Sequence, residues 1–276
     1  MSRKSVLKSV AAAALTATLA FSLSACGADD KGSAEEGADT KGTKENPVTI
    51  GVVGAEDYWA TFETEAEKQG LFVDIKDLGD YQLPNKAVTA GELDLNQFQH
   101  LLFLANYNVD ANEDLTPIAG TAVYPLGVYS KKHTSVDSIT LKDGGSAFST
   151  ELDVLPESKV KVTPVDATQT VLALDSVEAS VVNNDFLADA GLKATDAIYK
   201  DSAEAEGARP YINIWVTRAE DKDNAVYKKV IDVYKSQTVQ DGVLAASGGT
   251  AAFANQSGEE LTGFLKDIEE QIKASK

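Results

Sequence analysis

Val48-Thr49-Ile50-Gly51-Val52-Val53-Gly54 is a β-branched run closed by glycine, the pattern of a buried strand. Immediately after it, Trp59, Phe62 and Ala66 fall at i, i+3 and i+7 ahead of Gly70, which predicts a helix of about four turns with a glycine stop. Leu71 to Leu78 then reads as a second strand. Strand, helix, strand in this order implies a parallel pair joined by a crossover helix, hence an α/β sheet. Working outward, Leu83 to Ala90 predicts a short helix, and Gly91 to Leu95 leads into a third strand. Ile118 to Tyr129 reads as one long strand, Val160 to Val165 and Ala179 to Val182 as further strands, and Tyr211 to Val216 as an apolar return. In the tail Val226, Val230 and Tyr234 share one helical face, and Leu261, Phe264, Leu265, Ile268 and Ile272 form an amphipathic stripe behind a Ser257/Glu260 capping box. The two long apolar runs are natural places for the chain to pass between lobes. The expected organisation is two α/β lobes, 47–122 with 216–276 and 123–215, with a ligand cleft between them.

The chain has 276 residues and a formal net charge of -18, from 43 Asp+Glu against 25 Lys+Arg. At roughly 100 to 200 residues per domain the length allows one large or two modest domains. The acid excess repels phosphate backbones and anionic headgroups, which argues against nucleic acid or a polybasic membrane surface as partner. Cys26 is the single cysteine, so an internal disulfide, a Cys-cluster metal site and a CxxC motif are all excluded. Arg3, Lys4 and Lys8 precede the uncharged run Val10 to Leu23, the basic and apolar regions of a secretory signal. A spanning helix needs about 20 predominantly apolar residues, and this Ala/Ser/Thr-rich stretch is too short and too weakly apolar. Leu23-Ser24-Ala25-Cys26 resembles the lipobox of bacterial lipoproteins. That resemblance implies cleavage after residue 25 and acylation of Cys26, an anchor worth ~0.8 kcal/mol per buried CH₂. Residues 26–46 carry almost no large apolar side chain and read as a flexible tether.

Catalytic patterns are wanting. The sequence contains no G-x-S-x-G, no G-x-x-x-x-G-K-[ST] and no G-x-G-x-x-G opening a helix. His100 and His133 are the only histidines, so H-E-x-x-H is impossible, and no metal or cofactor is expected. Asp110, Asn112 and Asp114 imitate an EF-hand start, but Leu115 stands where the turn glycine is needed and Thr121 where the bidentate acid is needed. The sequence therefore reads as that of a protein other than an enzyme.

Asp80-Tyr81-Gln82-Leu83-Pro84-Asn85-Lys86-Ala87 and Asp94-Leu95-Asn96-Gln97-Phe98-Gln99-His100 resemble the methionine-binding lipoprotein family of the NlpA/MetQ type. The resemblance continues through Val123 to Lys132, Val181-Val182-Asn183-Asn184 and Pro210 to Arg218. It implies a two-lobed periplasmic-binding-protein fold of type II. It also implies a substrate-binding component that delivers methionine, or a related amino acid, to the permease of an ABC importer. By this resemblance Tyr81, Phe98 and His100 surround the methionine side chain, where aromatic faces suit a thioether, and Tyr124 and Phe103 are weaker candidates. Asn183 and Asn213 hold the amino-acid backbone, since an amide both donates and accepts. Taken by themselves, Tyr81 and Asn85 also suit turn and cap positions around Pro84, Phe98 a core position and His100 a helix start.

Two departures stand out. Leu101-Leu102-Phe103 replaces the family's polar residue, Pro and Tyr after the histidine. Further on, Ser138-Ile139-Thr140 runs directly into Leu141-Lys142-Asp143-Gly144, where the family has a strand, a turn and a helix opened by an Asn and a carboxylate-clamping Arg. A strand and a helix of the second lobe are therefore expected to be missing. Beyond the signal the only arginines are Arg209, expected near the cleft as a candidate replacement clamp, and Arg218, expected to be structural. The implied protein is a monomer, lipid-anchored on the extracytoplasmic face of the cell membrane. The alternative is a non-transport surface lipoprotein, adhesive or scaffolding, with a degraded cleft.

Overall fold

The structure is a computed structural model that describes residues 40–54, 56–136, 145–188, 190–203 and 206–276. The signal, Cys26, tether residues up to 39 and the 138–144 junction lie outside the described residues. β1 (Val48–Val52) is buried almost throughout, because it lies between two parallel neighbours in the sheet. α1 (Tyr58–Lys68) buries Trp59, Phe62 and Ala66, and the chain turns at Gly70, whose φ of +70° favours glycine. β2 (Val73–Asp77) returns parallel to β1, Val48 facing Val73. α2 (Pro84–Thr89) starts on its proline, and β3 (Leu95–His100) joins the other side of β1, also parallel.

α3 (Leu101–Ala111) follows β3 without a loop, its first turn capped by His100, whose Nδ1 accepts from Phe103 N at 3.2 Å. The chain then forms β4 (Thr116–Gly120), β5 (Ala122–Val123) and β6 (Gly127–Tyr129). Next come α4 (Thr170–Ala173), β7 (Ser180–Val182), β8 (Tyr199–Lys200) and β9 (Asn213–Thr217). The tail carries α5 (Ala225–Tyr234), α6 (Gln237–Ala246), β10 (Ala252–Phe253) and α7 (Gly258–Ser275). The larger lobe is built on the sheet β2-β1-β3-β9-β4, in which β9 runs antiparallel to both neighbours. The smaller lobe is built on the antiparallel sheet β7-β6-β8, and β5 pairs with β10.

One core of the larger lobe centres on Trp59, Phe62, Trp215 and Tyr234, whose ring centroids lie between 5.4 and 6.3 Å apart. A second lies on the opposite side of the sheet, where Leu101, Leu104, Ile214, Leu261 and Leu265 pack together. The smaller lobe's core is thinner, with Tyr129, Leu174, Val182 and Leu187 buried together.

Three expectations change. Ile118 to Tyr129 is split among three short strands with different partners, β4 on β9, β5 on β10 and β6 between β7 and β8, and Pro125 between the last two has no N–H to donate. Val160 to Val165 forms no strand; these residues lie exposed, and Pro164 interrupts the run. Residues 40–46, expected in the tether, fold onto the larger lobe. Phe72 N donates to Gly42 O, and Lys41 Nζ lies 2.8 Å from Asp94 Oδ2. Burial alone would raise the Asp94 pKa, but hydrogen bonds from Lys41 and Thr49 outweigh it and hold the carboxyl below its ordinary value. No helix among the described residues is long and apolar enough to cross a membrane.

Candidate binding cleft

The carboxyl ends of the three parallel strands converge, the usual place for a ligand in an open α/β sheet. β1 runs out into Val53 and Gly54, β2 into the turn bearing Tyr81, and β3 ends on Phe98 and His100, which share a face because strand side chains repeat every two residues. Pairing of β3 with β9 sets His100 opposite Asn213. Facing these from the smaller lobe are Asn183, Asn184 and Asp185, which follow β7, and Asp201 just after β8. Together they enclose a cavity of about 520 Å³.

One wall of the cavity is aromatic. The Tyr81 ring lies 5.9 Å from Phe98 and 6.3 Å from Phe103, with Phe98 and Phe103 at 5.7 Å. His100 stands edge-on to Tyr211 at 5.3 Å. Burial pulls the His100 pKa down to about 4, so at neutral pH the ring is uncharged. Its Nδ1 accepts from Phe103 N, which leaves the proton on Nε2 as a donor. Behind the wall a closed amide network fixes β3: Asn85 Nδ2 donates to Gln99 Oε1 at 2.8 Å, and Asn96 Nδ2 donates to Asn85 Oδ1 at 2.9 Å.

The lobes meet at Asp185. Tyr81 Oη donates to Asp185 Oδ2 at 2.5 Å, and the Tyr81 ring lies 5.4 Å from Phe186. Gly54 lies against Asp185, where its φ of +85° favours glycine and a Cβ would make an ordinary 3.4 Å contact with Asp185 Cβ. Burial pushes the Asp185 pKa up to about 6; the Tyr81 hydrogen bond lowers it, and the charges of Glu56 and Asp77 raise it further. Burial, then the charge of Asp185, also drives the Tyr81 hydroxyl far above its ordinary range.

Tyr81, Phe98, His100, Tyr124, Asn183 and Asn213 all line this one cavity, with Phe103 among them. Arg209 is not on its wall; the guanidinium lies 4.4 Å over the Phe264 ring, on the side of α7. Arg218 is structural, donating to the carbonyls of Val88 and Leu93 and pairing with Asp221 at 2.6 Å. Sequence reasoning missed Glu56, Tyr58, Trp59, Asp185, Asp201 and Tyr211, all of which line the cavity. The only local signal was the position of Asp185, two residues after Asn183. No group of three His, Cys, Asp or Glu side chains among the described residues could hold a metal ion.

This architecture has close counterparts. The family model described as NlpA lipoprotein matches residues 48–146 and 138–254, two segments that meet where the sequence departs from the family pattern. A D-methionine-binding lipoprotein MetQ from Salmonella typhi is 31% identical over 276 aligned positions, covering 87% of this chain and 95% of that relative. Among solved structures, protein PG110 from Staphylococcus aureus is 30% identical, covers 80% of this chain and 99% of its own, and superposes with a TM-score of 0.74. The substrate-binding protein of a methionine transporter from Streptococcus pneumoniae is 28% identical with a TM-score of 0.69, covering 78% of this chain and 96% of its own. The fold is that of the periplasmic substrate-binding proteins, two lobes around a central cleft. With the family match running in chain order from the first strand to the last, this chain belongs to the NlpA lipoprotein family.

Proposed function

We propose that this protein is a lipid-anchored solute-binding protein on the extracytoplasmic face of the cell membrane. It binds methionine or a closely related amino acid and hands it to the permease of an ABC importer. The observation that carries the reading is the aromatic wall of Tyr81, Phe98 and Phe103 beside the amides Asn183 and Asn213 in one cavity. Sulfur-to-ring contacts contribute ~0.3 to 1.5 kcal/mol each, so the wall favours a thioether over a plain alkyl chain. The two amides supply donors and acceptors for the polar end, His100 stands with the aromatic wall around the thioether, and Tyr124 lines the same cavity. Similarity to a D-methionine-binding lipoprotein and to a methionine transporter's binding protein supports the same assignment.

In this reading residues 26–39 tether the body to an acylated Cys26. The expected lobe boundaries shift, since 40–46 and all of β9 go with the larger lobe: that lobe takes 40–123 with 213–276, and the smaller lobe lies within 124–212. A ligand touching both stabilises the closed form by its greater affinity for that form, and the permease recognises it.

A thermal-shift screen of the detergent-solubilised full chain against the amino acids tests this. Ligand at 100 times its Kd stabilises by about 2.7 kcal/mol, which raises the Tm by roughly 5 to 10 °C for a domain of this size. Methionine should give the largest rise. No shift with any amino acid, from a protein that melts cooperatively, contradicts the proposal and favours the non-transport lipoprotein.

A further inference from the structure

Three amide side chains are sealed behind the aromatic wall: Asn85 is 1% exposed, Asn96 0% and Gln99 3%. Each is bonded to the other two. Asn85 Nδ2 donates to Gln99 Oε1, and Asn96 Nδ2 donates to Asn85 Oδ1. Gln99 Nε2 donates to Asn85 Oδ1 at 2.6 Å and to Asn96 Oδ1 at 2.9 Å. Burying amides costs free energy that an apolar core avoids, and a closed network of them fixes one arrangement. This network brackets an irregularity in β3. Asn96 pairs with Val216 and Gln99 with Ile214, so three steps along β3 answer two along β9 and one residue is extra. The bulge lies at Gln97 and Phe98, both on the cavity wall. The two residues that flank it are the two amides bonded to Asn85. Asn85 itself sits in the first turn of α2, directly after the turn that carries Tyr81.

The aromatic slot takes one ring from each of these two segments, with the Tyr81 and Phe98 centroids 5.9 Å apart. Bulges re-aim side chains, so a bulge free to shift would move Phe98 relative to Tyr81. We propose that the triad of Asn85, Asn96 and Gln99 is the positioning element of the binding site: it locks the β3 bulge to α2 and so fixes the slot between Tyr81 and Phe98 at the spacing that grips a thioether. Asn85 and Asn96 act through the rings they hold. A supporting shell that is loose by about 1 Å leaves a site present but weak. The inference rests on the methionine-cleft reading above and adds what sets its selectivity. Sulfur-to-ring attraction needs the rings held in place, whereas burial of a plain alkyl chain is non-directional.

Calorimetric titration of the detergent-solubilised full chain with L-methionine and with L-norleucine, its isostere without sulfur, tests this alongside thermal melts. Native protein should prefer L-methionine. Asn85→Ala, and Gln99→Met, which nearly keeps the volume, should weaken L-methionine binding about tenfold or more and narrow its preference over L-norleucine. Asn108→Ala is the control. Asn108 is likewise a buried amide, but it lies on α3, donating to Leu115 O at 2.9 Å and to Glu269 of α7. Its loss should lower the Tm and leave both affinities unchanged. Native protein that binds the two amino acids equally, or triad variants that keep the native preference, overturn this inference and leave the methionine reading standing. The same narrowing in Asn108→Ala would mean a general loosening and overturns it too. Failure of the native protein to bind L-methionine overturns the methionine reading and this inference with it. Gln99→Met keeps the bond from Asn96 to Asn85, so it carries the test where Asn85→Ala does not fold.

Discussion

Asp185 is a carboxyl held between two lobes, with a pKa raised by burial from an ordinary 3.8 to about 6. A raised acid pKa means that the folded state holds its proton more tightly than the unfolded state. The stabilisation it contributes is fully present below pH 3.8 and is lost as pH rises through about 6. At 1.36 kcal/mol per unit the loss is on the order of 3 kcal/mol. Asp185→Asn should remove that slope, and thermal melts from pH 4 to 7.5 should show the variant gaining on the native protein as pH rises; parallel curves would contradict the assignment. His100 works in the opposite sense. Its depressed pKa contributes stability above pH 6.5 that is lost as pH falls through about 4, so the two groups partly cancel between pH 4 and 6. Cys26 makes a chemical prediction: Cys26→Ser should move the protein from the membrane to the soluble fraction on cell fractionation, and retention in the membrane would argue against acyl anchoring.

At the scale of elements, α7 shows how local signals and tertiary contacts divide the work. Ser257 Oγ accepts from Glu260 N at 3.3 Å, and Glu260 Oε2 accepts from Ser257 N at 2.9 Å, so Ser257→Ala should cost about 1 kcal/mol in denaturant melts. Gly258 is different. A Cβ there would lie 3.0 Å from the Ile118 backbone and 3.1 Å from Pro117 O, main-chain atoms of β4 rather than the end of a movable side chain. Gly258→Ala should therefore cost about 1 to 3 kcal/mol, despite alanine's better helix propensity. A Gly258→Ala variant more stable than native would contradict that contact. The cap was legible because its residues are three apart; the glycine contact was not, because β4 lies far away in sequence. The same division runs through the other elements. β1, α1 and β2 were readable because their apolar periods match their secondary structure. Of α3 only the start was legible, His100 suiting a helix start and capping the first turn; its extent was not, since Leu101-Leu102-Phe103-Leu104 is apolar on every side and has no helical period. The run from Ile118 to Tyr129 misled because its apolar residues continue while the chain changes partner strand, from β9 to β10 and then to β7 and β8.

For the whole molecule, the cleft is where distant parts of the chain converge, and that limits what the sequence could reveal. The aromatic and amide positions came from resemblance to a family with a shared motif order. The carboxylates did not, because Glu56, Asp185 and Asp201 are three among 43 acids and only tertiary structure brings them to one wall. Lobe closure ties these scales together: Tyr81 from the larger lobe and Asp185 from the smaller already touch, and a ligand seated beside them bridges the same gap. The central claim is that this cleft binds the methionine skeleton. Calorimetric titration of the detergent-solubilised full chain with L-methionine, on native protein and on Phe98→Ala, tests it most directly. The account predicts saturable one-to-one binding to the native protein, weakened about tenfold or more by loss of the ring. No saturable heat with native protein, or binding that Phe98→Ala leaves unchanged, would contradict it.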